Sequence, residues 1–298
     1  SPGCDPSLSW TSDAANDDDP CAWCGISCDG DGAVVSVQLT GLGLLGSLRP
    51  GSLSSLRRLA DLDLSSNSLS GPIPEDLAGL SPTLLRLDLS GNAFTGPVPF
   101  TLGGLSALLH LSLASNRLQG PIPSSLGALP NLTSLNLSSN SLHNPIPLEL
   151  SQIRSLQALD LHSNRLSGSI DPVFLAFPSL VSVDLSDNQL SGFLPWQPND
   201  TLPLLKTLQY VNLSHNHLTG PLAPSKFSSI FAEKLRVLDM SHNELTGDLP
   251  DFEFVIELVT LRLGNNLFTG SVPTTLLSAN LGLLEELDIC MNNLTGIN

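Results

Sequence analysis

One residue constrains this 298-residue chain more than any other: an asparagine that returns at nearly constant spacing. It stands at Asn67, Asn92, Asn116, Asn140, Asn164, Asn188, Asn216, Asn243, Asn266 and Asn292. The steps are 25, then four of 24, then 28, 27, 23 and 26 residues. Around each asparagine lies an edited copy of Leu-Asp-Leu-Ser-Ser-Asn-Ser-Leu-Ser-Gly-Pro-Ile-Pro, residues 62–74. An earlier copy, Val37 to Gly46, has Leu42 in the asparagine's place, which makes eleven units from about residue 34 to the end. A fixed period in this range is the signature of stacked repeats.

The physics assigns each letter of the phrase. Leu62-Asp63-Leu64 alternates, so both leucines face one side of a short strand and the aspartate the other. Leu69 and Ile73 turn back to the same interior. One such coil cannot bury its apolar face, whereas a stack of coils buries a continuous core. The asparagine lies where the chain leaves the strand, and its amide both donates and accepts. Placed at an internal corner, it satisfies backbone groups of adjacent coils that are costly to leave unpaired. Gly71 and its counterparts permit the turn; Pro74 and its counterparts are expected to hold the outer side extended rather than helical. At about 4.8 Å per strand, eleven strands make a curved slab roughly 50 Å long with one parallel sheet inside.

Charge narrows the functions available. Twelve Lys and Arg against 28 Asp and Glu give a net charge of −16, and charged residues are only 13% of the chain. Such a field repels phosphate backbones and anionic lipid, which excludes nucleic acid and membrane surfaces and favours a basic partner. The least charged stretch, Pro97 to Ala114, is broken by Pro, Gly, Ser and His110, so any membrane attachment runs through a segment outside this sequence. Four of the five cysteines (Cys4, Cys21, Cys24, Cys28) fall in the first 28 residues, with Cys290 near the end. This clustering reads as a stapled cap in an oxidising compartment. Zinc is the competing reading of Cys21-x2-Cys24-x3-Cys28, but structural zinc sites prefer two separated knuckles. Four cysteines leave three pairings open.

The repeat resembles the plant-specific leucine-rich repeat, LxxLxLxxNxL(S/T)GxIP. Asp19-Pro20-Cys21-Ala22-Trp23-Cys24-Gly25-Ile26-Ser27-Cys28 is similar to the amino-terminal cap of plant leucine-rich-repeat receptor kinases, whose two outer cysteines pair. The resemblance therefore implies a Cys21–Cys28 disulfide, with Cys24, unusual at its position, partnered by Cys4. Trp10 and Trp23 would shield the apolar end of the first coil. The implied fold is an α/β solenoid: a leucine-rich-repeat superhelix with a parallel inner sheet, mostly strand, 3-10 turn and loop, with little α-helix. Residues 1–33 form its stapled cap and residues 34–298 its eleven repeats, with no carboxy-terminal cap. Leu159-Asp160-Leu161-His162-Ser163-Asn164 with Gly168-Ser169-Ile170-Asp171, and Leu249-Pro250-Asp251-Phe252-Glu253-Phe254-Val255 before Leu261-Arg262-Leu263-Gly264-Asn265-Asn266, resemble the guard-cell hydrogen-peroxide-resistant receptor kinases, whose kinase domains look inactive.

Motifs that could carry chemistry dissolve into the repeat. Gly41-Leu42-Gly43-Leu44-Leu45-Gly46 is a literal GxGxxG with Asp61 and Asp63 about twenty residues on. Yet Asp63 recurs as Asp88, Asp160, Asp184, Asp239 and Asp288, and a dinucleotide needs one such acid rather than six. Ser, His and Asp co-occur without triad spacing, so no catalytic residue, cofactor or metal is assigned. His143 and His217 fit no ligand motif either. His162, His215 and His242 are expected on the inner face, where they could respond to pH. The aspartate column (Asp160, Asp184 and Asp239 among it) makes an electronegative trough, either fully solvated or prepared for a basic partner.

The inner face departs from its own pattern at His110, Tyr210, His215, Val237, His242, Arg262 and Met291. Aromatic and Arg side chains in a shallow groove are common interface anchors, so Tyr210 and Arg262 lead the candidate contacts. The two enlarged repeats nearby add Trp196 and a longer loop through Pro224 and Phe231. No Arg-x-Arg pair stands within one strand, the device by which peptide-hormone receptors of this family hold a free carboxylate. Five sequons offer N-linked glycan acceptors at Asn131, Asn136, Asn199, Asn212 and Asn293, with Asn136 and Asn212 on the inner face. The resemblance implies an extracellular, partner-binding part of a receptor, reached through the secretory pathway and exposed on the outer face of the plasma membrane. Its ligand would be a peptide or protein, joined or replaced by a co-receptor, with signalling by assembly. The alternative is a secreted inhibitor of cell-wall polygalacturonases.

Overall fold

The computed structural model describes residues 19–53, 55–171, 177–194, 207–222, 234–252, 255–277 and 282–297. Its spine is a twelve-stranded sheet. The first strand, Ile26–Cys28, runs antiparallel to Val34–Gln38. From Val34–Gln38 onward every neighbour is parallel and one repeat further along the sequence, ending at Glu286–Asp288. Equivalent residues stand opposite one another: Ser182, Val183 and Asp184 pair with Tyr210, Val211 and Asn212.

A second, ten-stranded sheet follows the asparagine corners along one flank, from Leu45–Gly46 to Leu267–Thr269. Its strands, such as Ser68–Pro72, bury one leucine between two exposed residues. Gly71 adopts φ 79° there, a left-handed value at which a side chain is strained. On the far side the prolines act differently from expectation. Pro74, Pro99, Pro123 and Pro147 are themselves extended, but each is followed at once by a 3-10 turn, beginning at Glu75, Phe100, Ser124 and Leu148. A proline ring fixes only its own φ and suits the residue before a helical turn, so the outer side is wound rather than extended. Among the described residues there is no α-helix, and no helix long and apolar enough to cross a membrane.

The core is a leucine column running the length of the stack. Leu62, Leu87, Leu111, Leu135, Leu159, Leu238 and Leu261 are at most 1% exposed. Phe94, Phe252 and Phe268 are the largest fully buried side chains. At the amino-terminal end Trp23, Ile26, Val37, Leu44, Leu56 and Leu62 line an apolar cavity of about 380 Å³. Cys21 and Cys28 are joined by a disulfide. Trp10, Cys4 and hence the Cys4–Cys24 pairing lie outside the described residues, as do Trp196, Asn199, Pro224 and Phe231.

The asparagines form the ladder that the spacing predicts. Asn164 is representative: its Nδ2 donates to the carbonyls of Leu137 in the preceding coil (3.0 Å) and of Leu161 and His162 in its own (3.1 and 3.2 Å). Its Oδ1 accepts from the Leu142 N–H at 3.0 Å. The same bonds recur from Asn92 to Asn292. Where Leu42 breaks the column, Asn67 of the next coil accepts from both Leu42 and Leu44 N–H groups.

Candidate functional site

The large sheet presents two outward columns on its concave side, the first and third residues of each strand. Tyr210, His110, Arg86, Val237 and Glu286 belong to the first; Asp63, Asp88, Asn136, Asp160, Asp184, Asn212, Asp239, Arg262 and Asp288 belong to the third. Their order follows from strand alternation, since from Val37 onward the residue between them is a leucine or valine packed into the core.

The aspartates of the third column are neither fully solvated nor idle. Each turns one oxygen onto the residue two positions later. Asp63, Asp184 and Asp239 accept from the backbone N–H of Ser65, Ser186 and Ser241 at 3.0 Å, and from the same serine hydroxyls at 2.6 Å. Asn136 and Asn212 make the same turn with Ser138 and Ser214. At Asp160 the histidine His162 replaces the serine, with Nδ1 2.7 Å from Oδ1. The column thus closes the strand exits, and only the second oxygen faces the groove.

Those second oxygens organise the large side chains. Tyr210 donates to Asp184 Oδ2 at 3.1 Å, and Asn212 Nδ2 donates to the same oxygen at 3.2 Å. Burial, then the neighbouring Asp184 carboxylate, pushes the Tyr210 phenol above its ordinary value. Arg262 is gripped by Glu286 through two 2.7 Å bonds and by Asp239 at 3.3 Å, which raises its already high proton affinity. Arg86 is held likewise by Asp63 at 2.7 Å and Asp88 at 2.9 Å, with Asp61 at 3.6 Å. Glu286 and Arg86 were not singled out from the sequence, and Asn212 only as a glycan acceptor, although all three lie in the two columns that hold Tyr210 and Arg262.

Two of the histidines lie elsewhere than expected. His215 and His242 are not on the sheet face but at the corner directly before a ladder asparagine, both at φ 53°. There they stack one coil apart, ring centroids 4.0 Å from each other and 12° from parallel. Counting back from the asparagine instead of forward from the strand gives this place. His110 is exposed at the first strand position. Met291 occupies the same corner as His215 and is 74% exposed. Cys290 is an exposed free thiol, its proton retained by the hydrogen bond to Asp288.

Leucine-rich-repeat family profiles match residues 58–80, 82–142, 155–177, 179–199, 207–227 and 234–253, together more than half of the chain. The chain is a leucine-rich-repeat protein. It is homologous to the ectodomains of plant leucine-rich-repeat receptor-like kinases. Over 64 residues it is 45% identical to the receptor-like serine/threonine-protein kinase GSO2 of Arabidopsis thaliana, a stretch covering 22% of this chain and 5% of that protein. The PEPR1–AtPEP1 structure superimposes with a TM-score of 0.83 at 32% identity, covering 97% of this chain and 39% of that one. The Arabidopsis receptor kinase HAESA, solved with the peptide hormone IDA and the co-receptor SERK1, gives a TM-score of 0.74 at 33% identity, covering 97% and 52%. This leucine-rich-repeat chain therefore spans about half or less of each of these relatives.

Proposed function

We propose that this leucine-rich-repeat chain is the partner-binding ectodomain of a plant cell-surface receptor, displayed outside the cell, engaging a peptide or protein ligand on its concave face and signalling through assembly with a co-receptor. One observation carries the reading. Between Tyr210 and Arg262 the groove holds an aromatic and a guanidinium side chain already fixed by Asp184, Asp239 and Glu286. Side chains fixed in advance lose less freedom on binding, which suits an interface. The solved HAESA structure, which carries a peptide hormone, supports the ligand class.

Charge sharpens the partner. Arg86 and Arg262, the arginines of the concave columns, are each outnumbered by the carboxylates that hold them. The groove therefore steers a basic segment rather than a free carboxylate. No chemical step is assigned to this chain. The phrases around His162 and Phe252 favour the guard-cell hydrogen-peroxide-resistant group, with an inactive kinase beyond the membrane. The polygalacturonase-inhibitor reading gains no support from these neighbours.

The test is capture from plant extracellular fluid, read by mass spectrometry, with the wild-type chain and with the double variant Tyr210→Ala/Arg262→Ala. A set of proteins or peptides retained by the first and lost by the second is the expected result. Equal capture by both sinks the assignment of this stretch.

A further inference from the structure

Of the sequon asparagines, Asn136 and Asn212 occupy the same place in the repeat yet differ in what their amide nitrogens do. Both spend Oδ1 on the strand exit: Asn136 accepts from the Ser138 N–H at 3.0 Å and the Ser138 hydroxyl at 2.7 Å, Asn212 from Ser214 at 3.1 and 2.8 Å. Asn212 Nδ2 is committed inside the groove, to Asp184 Oδ2 at 3.2 Å and to the Tyr210 hydroxyl at 3.5 Å. Asn136 Nδ2 makes no such bond among the described residues, and it is not a buried unpaired atom, so it opens to solvent. The floor around it is low. In register on either side of Asn136 stand Ser112 and Asp160, and beside Ser134 stand Ala158 and the exposed His110; none of these hydrogen-bonds Asn136 Nδ2 as Tyr210 and Asp184 do Asn212 Nδ2.

From this contrast we propose that Asn136 carries an N-linked glycan that rises from the concave face and occupies the groove near the fourth and fifth parallel strands. The attachment transfers an oligosaccharide from a lipid-diphosphate donor of the secretory pathway. The sugar's C1–oxygen bond to phosphate breaks, a C1–Nδ2 bond forms, and Nδ2 gives up one proton. Oδ1 is untouched, so the turn with Ser138 survives modification. At Asn212 the same addition would place a sugar between Asp184 and Tyr210. The glycan at Asn136 covers the groove around His110 and Ala158 and leaves the Tyr210–Arg262 stretch open to a partner. The inference rests on the chain being secreted, as proposed above.

The experiment uses the full chain secreted from plant or insect cells, digested and released with peptide:N-glycosidase in heavy-oxygen water, so that each modified asparagine becomes a labelled aspartate. Label at Asn136 and none at Asn212 is the expected pattern. Label at Asn131 or Asn293 with Asn136 unlabelled overturns the glycan while leaving secretion standing; no label at any sequon overturns both. Label at Asn212 as well as Asn136 overturns the geometric discrimination. A second variant guards against misfolding: Asn136→Asp keeps the Oδ1 acceptor, as Asp88 and Asp160 do at the same register. It is expected to lose the mass of one glycan with its unfolding midpoint unchanged. An intact mass unchanged from that of secreted wild type, apart from the Asn-to-Asp difference, refutes occupancy.

Discussion

The Tyr210 hydroxyl donates to Asp184 Oδ2 at 3.1 Å across the boundary between two coils, and the same oxygen takes a second bond from Asn212. The aromatic ring is therefore held upright in the groove by a carboxylate whose other oxygen is locked to Ser186. Tyr210→Phe removes the hydroxyl bond and keeps the ring. We expect a stability loss of about 0.5–1.5 kcal/mol, the usual net worth of one hydrogen bond, measured by urea unfolding. Partner capture should fall less than with Tyr210→Ala; equal loss in the two would mean that the hydroxyl, not the ring, makes the contact.

Asn164 is 9% exposed and makes its four bonds to backbone groups of two coils. Its replacement by Ala strands those groups, for an expected cost on the order of 2–4 kcal/mol. Asn164→Asp should cost more, because a carboxylate would face three carbonyl oxygens. Chemical denaturation of both variants checks the order; an Asp variant as stable as wild type would contradict the ladder.

Gly127 and Gly104 test the convex side. A Cβ on Gly127 would sit on the Glu149 carbonyl of the next coil, whereas one on Gly104 meets nothing within 4 Å. Gly127→Ala should destabilise by about 1–3 kcal/mol, as overpacking does, with Gly104→Ala near neutral in thermal unfolding.

Acid should loosen the amino-terminal half. Burial works to raise the Asp63 carboxyl, but the Ser65 hydroxyl and N–H and the Arg86 guanidinium outweigh it and hold it below its ordinary 3.8. A depressed folded value stabilises above the unfolded value and is lost as pH falls through the folded one. Unfolding midpoints should therefore drop as the pH falls below about 4. The drop should shrink in Arg86→Met; an unchanged pH profile in that variant would refute the coupling.

The stacked coils and the ladder were legible because they depend on period and residue type alone: each Asn meets the same backbone atoms whatever its neighbours. The second sheet was not, because segments such as Ser68–Pro72 bury one leucine and show too short an alternation to read. The aspartate column was legible in position but not in role. Its signal was present: Asp63, Asp88, Asn136, Asp184, Asn212 and Asp239 are each followed two residues later by serine. The clamps on Arg262 and Tyr210 join residues 24 and 26 apart, a pairing that only the strand register supplies.

The most direct test puts a photo-crosslinking phenylalanine derivative at Val237, on the concave sheet beside Tyr210, or at Glu149, exposed on the convex 3-10 turn. Each protein is irradiated in plant extracellular fluid. Adducts from position 237 that are absent from position 149 are predicted; adducts from 149 alone would contradict a concave binding face.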